Sequence, residues 1–107
     1  MSNDERCEEF RRLYPKPVRV TDARSRQKKE GYCVGTALAR FLGVLSHHAR
    51  FPSACRLADV LAGHVRTLPE AEGLTYRCLA IVDANDGGDF DRAFELACEL
   101  IPEEARS

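Results

Sequence analysis

Apolar residues recur at helical spacing through most of this 107-residue chain. The clearest run is Gly31-Tyr-Cys-Val-Gly-Thr-Ala-Leu-Ala-Arg-Phe-Leu-Gly43. Gly31, Gly35, Ala39 and Gly43 fall at every fourth position, which makes one smooth stripe along a helix. Val34, Ala37, Leu38, Phe41, Leu42 and Leu45 form a wide apolar face beside it. A helix with both features is a central core helix, because small side chains let a neighbouring element come close. Glycine inside a helix costs up to about 1 kcal/mol relative to alanine, so tight packing or a helix start at Gly35 is expected to compensate. The pattern predicts this helix from about Tyr32 to about Ser46.

The flanking segments read the same way. Ser2 and Glu5 have capping-box spacing, and Cys7, Phe10, Leu13 and Tyr14 give a short amphipathic helix that Pro15 and Pro17 end. Val18 to Val20 has the alternation of a short extended segment, and a polar, basic loop follows at about 21–30. Ser53 is a good N-cap for a helix carrying Ala54, Leu57, Ala58, Leu61, Val65 and Leu68. Thr67 with Glu70, and Pro69 between them, signal another helix start. That fourth helix carries Leu74, Cys78, Ile81 and Val82 to about Ala84, although Gly73 leaves its beginning open. Asn85-Asp86-Gly87-Gly88 reads as a turn, and Asp89 caps a last helix with Phe90, Ala93, Phe94, Ala97 and Ile101 on its buried face. Leu96 and Leu100 widen that face, and Pro102 ends it. The expected fold is all-α: one domain over residues 1–107, a compact array of about five helices around the central one, with a short extended segment near 18–20.

Hydrophobic residues make up 44% and charged residues 31% of the chain, the balance of an ordinary soluble globular protein. No apolar run approaches the ~20 residues of a membrane span, and the polar start is not a signal peptide, so the expected location is cytoplasmic. The near-neutral net charge of −1 hides an uneven distribution. Residues 1–56 carry 12 Lys/Arg against 6 Asp/Glu, whereas residues 57–107 carry 4 against 11. Such asymmetry suits attraction between subunits or a basic binding surface. Arg24, Arg26, Lys28 and Lys29 are the densest basic cluster and the candidate partner-binding residues. Four charges could contact phosphates, but no aromatic platform is interleaved with them and the pI is about 6.3, which disfavours nucleic acid as the partner.

Candidate chemistry is sparse. The five cysteines, Cys7, Cys33, Cys55, Cys78 and Cys98, are spaced 20 to 26 residues apart with no C-x-x-C pair. They read as small buried hydrophobes in a reducing compartment, and neither a zinc ribbon nor a redox dithiol is expected from their spacing. Cys33 is the one weak catalytic candidate. It sits at a predicted helix N-terminus, the position that favours a thiolate nucleophile, but such a site also needs an oriented histidine from among His47, His48 and His64. Asp83 to Asp91 resembles a calcium-binding loop superficially, which makes Asp83, Asn85 and Asp91 a weak metal-ligand candidate. Gly87 offers no side-chain oxygen at the fifth position, and Phe94 stands where the bidentate glutamate belongs. No cofactor is expected.

Tyr32-Cys33-Val34-Gly35-Thr36-Ala37-Leu38, with Asn85-Asp86 later, resembles a pattern in small bacterial proteins of unknown function. Those proteins have an aromatic-Cys-x-Gly helix start and a helix ending in Asn-Asp. The resemblance implies a similar helical core and a bacterial source, with no activity attached. The expected function is therefore a non-catalytic protein–protein interaction module or small oligomeric accessory protein. It would self-associate through oppositely charged faces or through leftover apolar surface such as Leu96 and Leu100. The alternatives are a cysteine-dependent enzyme using Cys33 with a histidine, and weak nucleic-acid binding through the basic loop. No membrane partner is expected.

Overall fold

Five helices, and no strand, occur among the residues that the computed structural model describes, namely 3–19, 32–44, 53–66 and 73–102. They are α1 (Asn3–Leu13), α2 (Val34–Phe41), α3 (Ala54–Leu61), α4 (Leu74–Asp86) and α5 (Phe90–Cys98). The all-α array is thus as expected. The radius of gyration is 13.1 Å, close to the ~13 Å of a compact chain of about this length.

Local chemistry fixes the ends of each helix, and in four places it moves them from where periodicity put them. In α1, Asp4 and Glu5 occupy the first turn and Arg11 and Arg12 the last, the charge order that suits the helix dipole. α2 starts at Val34 and not Tyr32, because Cys33 takes the capping position. It also ends at Phe41 and not near Ser46. Gly43 adopts a left-handed φ of +73°, and its N–H bonds to Arg40 O while that of Val44 bonds to Ala39 O, both at 3.0 Å. This paired closure is the Schellman arrangement, and it stops the helix although the apolar pattern runs on to Leu45. Likewise Ser53 caps α3 as expected, its Oγ accepting from the Arg56 N–H at 3.2 Å, but Gly63 at φ +81° follows α3 long before Leu68.

The fourth shift is at the end of α4. Asn85 and Asp86, expected in a turn, are its last helical residues. Gly88, at φ +82°, makes the stop one step later, with Gly88 N–H on Asn85 O and Asp89 N–H on Ala84 O. Asp89 then caps α5 as expected, its carboxylate accepting from the Arg92 N–H at 3.2 Å. The Thr67–Glu70 capping box and Pro69 lie outside the described residues, as does Val20. The described part of the extended segment is not a strand. Val18 donates its N–H to Tyr32 O at 2.8 Å, and Tyr32 OH accepts from Lys16 N–H at 2.9 Å.

α2 lies at the centre, with α3, α4 and α5 packed around it. Every residue from Val34 to Ala39 is buried. The small-residue stripe has a concrete partner here: a Cβ added at Gly35 would stand 2.8 Å from Leu57 Cδ2, so the glycine is what lets α3 come this close. α1 lies against α5 and the end of α2. Its buried Phe10 meets Phe94 at 5.4 Å and Phe41 at 5.3 Å between ring centroids. Arg6 and Arg11 lie over Phe41 and Phe94, at 5.4 Å and 5.3 Å, closing the edges of this aromatic cluster.

Candidate functional site

The start of α2 gathers the polar groups buried within this core. Cys33 has an extended backbone, and its Sγ accepts from the Thr36 N–H at 3.3 Å and lies 3.2 Å from Thr36 Oγ1. The sulfur therefore does the work usually given to a serine or threonine oxygen at a helix start. Cys33 is only 3% exposed, and among the described residues both hydrogen-bond partners of its sulfur are on Thr36. A nucleophile needs access to substrate and a base within hydrogen-bond reach. His64 is exposed just past the end of α3, and His47 and His48 lie outside the described residues.

The second buried polar group is Asn85, on α4. Its Oδ1 accepts from the Val34 N–H at 2.9 Å, and its Nδ2 donates to the Val18 carbonyl at 3.0 Å. One amide thus joins α4, the first turn of α2 and the extended segment. Of the metal-ligand candidates, Asn85 has its Oδ1 turned into the core and accepting from a backbone N–H. Asp83 and Asp91 are exposed on successive helices, and among the described residues no group of three His, Cys, Asp or Glu side chains could hold a metal ion. The amide's role was missed because Asn85-Asp86-Gly87-Gly88 reads so strongly as a turn. The available signal was its register: Cys78, Ile81 and Asn85 are the buried residues of α4, at i, i+3 and i+7. A second clamp on the same turn comes from Arg19, which donates to Gly87 O at 3.1 Å.

Two surface features face outward. A groove of about 340 Å³ between α1 and the end of α2 is lined by Arg6, Glu9, Leu13, Tyr14, Arg40 and Phe41. On α4, Tyr76 is 74% exposed and Leu79 44% exposed, neighbours one turn apart. Asp83 and Asp86 continue that exposed row at i+7 and i+10, so an apolar end gives way to an acidic one. Leu96 and Leu100, by contrast, are 9% and 0% exposed. They are core residues and not the leftover apolar surface expected, because α5 is packed against α1, α2 and α4. Arg24, Arg26, Lys28 and Lys29 lie outside the described residues. No helix among the described residues is long and apolar enough to cross a membrane. Comparison with protein-family models, curated proteins and solved structures finds no significant match to this chain.

Proposed function

We propose that this protein is a non-catalytic, cytoplasmic interaction module that self-associates through the outer face of α4. The observation that carries the reading is the exposed pair Tyr76 and Leu79. Burying a large apolar side chain contributes about 1.5–3 kcal/mol, so a two-fold contact using four such side chains is a substantial drive to associate. Asp83 and Asp86 on the same face give it a sign, and the basic cluster Arg24, Arg26, Lys28 and Lys29 of a second copy supplies the opposite one. Cys33 supports catalysis poorly, since its sulfur caps α2 inside the core.

Size-exclusion chromatography with light scattering tests this. The wild-type chain is expected to run as a dimer at low salt and to dissociate as salt rises. Replacing Tyr76 and Leu79 together by Ser should leave helical circular dichroism unchanged and give a monomer. Replacing the four basic residues by Ser should weaken the dimer and reduce its salt dependence. An unchanged oligomeric state in both variants overturns the proposal. Loss of DNA retention in the basic variant, with a salt slope near −0.9 per phosphate contacted, would instead favour nucleic-acid binding.

A further inference from the structure

Cys7 and Cys98 are 91 residues apart in sequence, at the middle of α1 and the last position of α5, and the fold brings them together. The Cys7 thiol donates to the Cys98 carbonyl with Sγ and oxygen 3.6 Å apart, and it is also hydrogen-bonded to the Cys98 side chain. Neighbouring contacts hold the two helices in this register. Phe10, three residues on, packs edge-on against Phe94, and Arg6 donates to Pro102 O at 2.5 Å. Both thiols are half-buried, whereas Cys33 and Cys78 are enclosed in the core and Cys55 is exposed on α3.

We propose that Cys7 and Cys98 are a redox-modifiable pair, which closes to an intramolecular disulfide between α1 and α5 when the protein meets a small-molecule disulfide such as oxidised glutathione. In the first exchange the Cys98 thiol loses its proton and attacks one sulfur of the reagent. This forms a mixed disulfide and releases one molecule of small thiol, which takes up a proton. Cys7 then loses its proton and attacks the Cys98 sulfur, releasing a second small thiol. Two protein thiols are oxidised by two electrons, and the reagent is reduced to two thiols. The order follows from the surroundings of Cys7. Burial first, then the hydrogen bond and charge of Cys98 and the charge of Asp4, push its thiol up to about 12, with Arg11 opposing, so it is the poorer first attacker. The product ties the N-terminal helix, which packs on the core through one face, to the C-terminal end of the fold.

The test uses the full chain carrying Cys55→Ser, which removes the exposed thiol able to bridge two molecules. The reduced, folded protein is incubated with oxidised glutathione at pH 8.5, quenched with acid, and digested with trypsin without reduction. Mass spectrometry is expected to show the peptide of residues 7–11 joined to that of residues 93–106 as the dominant linkage, lost on adding dithiothreitol. Closing so long a loop should also raise Tm by at least about 5 °C over the reduced protein. The linkage should form faster as pH rises from 7 toward 10. Glutathionylated Cys98 that never resolves onto Cys7, or dominant linkages through Cys33 or Cys78, would overturn the proposal. Because the readout is a linkage in the folded chain, it does not depend on a Cys7 variant folding.

Discussion

Removing the Asn85 amide should destabilise the fold far more than its loop-like sequence suggests. In Asn85→Ala, the wholly buried Val34 N–H loses the Asn85 Oδ1 that accepts from it, and the half-buried Val18 carbonyl loses its donor. A buried donor left unsatisfied costs about 1–3 kcal/mol, and a carbonyl that water can partly reach costs less, about 0.5–1.5 kcal/mol. The sum is about 1.5–4.5 kcal/mol before any cavity cost, a large share of the 5–15 kcal/mol typical of a small domain. Urea unfolding followed by circular dichroism at 222 nm measures it. Asn85→Asp sharpens the argument. A carboxylate keeps the acceptor for Val34 N–H but sets a negative charge against the Val18 carbonyl, whereas the protonated acid can donate to that carbonyl as the amide does. Its folded pKa is therefore raised above the unfolded value near 3.9, so the folded state binds more protons and stability falls as pH rises through that window. Asn85→Asp should be closest to wild type near pH 4 and furthest from it at pH 7. A loss below about 1 kcal/mol in Asn85→Ala, or a pH-independent deficit in Asn85→Asp, would refute the bridging role.

Two further outcomes follow from the core. Gly35→Val should cost about 1–3 kcal/mol in urea unfolding, because even a Cβ would stand 2.8 Å from Leu57 Cδ2, and Leu57→Ala should recover part of that loss. Burial pushes the Cys78 thiol from 9.0 up to about 12, so its contribution to stability is complete below pH 9 and is lost as pH rises from 9 to 12. Cys78→Ala should flatten the alkaline fall in stability by up to about 1.4 kcal/mol per pH unit, and equal slopes in the two proteins would contradict this.

The helices were legible because each buries an apolar stripe at the 3.6-residue period, and Ser53 and Asp89 cap where their sequence context says they should. Periodicity overran α2 and α3 for one reason. Leu45, Val65 and Leu68 keep the apolar rhythm, but Gly43 and Gly63 can take a left-handed conformation that other residues resist, and that local preference wins. Cys33 was read at a helix start, yet nothing in its spacing said that its sulfur would cap the helix. Asn85 was harder still. A side chain that serves a backbone N–H 51 residues away leaves no mark on its neighbours in sequence. The same holds for Cys7 beside Cys98, since linear spacing registers C-x-x-C pairs and not thiols brought together by packing. Leu96 and Leu100 were misplaced because a wide apolar face looks like surplus until the elements covering it are known.

The Asn85 bridge also imposes an order of events on folding. The central helix can form turns by itself, but Val34 N–H has to wait for a residue in the fourth helix, and the extended segment waits for the same one. On the ribosome, most of the chain must emerge before α2 acquires this partner. Long-range closure of this kind slows assembly, while α4 and α5, joined by one short turn, can pair early. Mutations at Asn85 should therefore act mainly on the unfolding rate, and mutations between α4 and α5 on the folding rate. The middle of the molecule is, in time, one of its last parts to be finished.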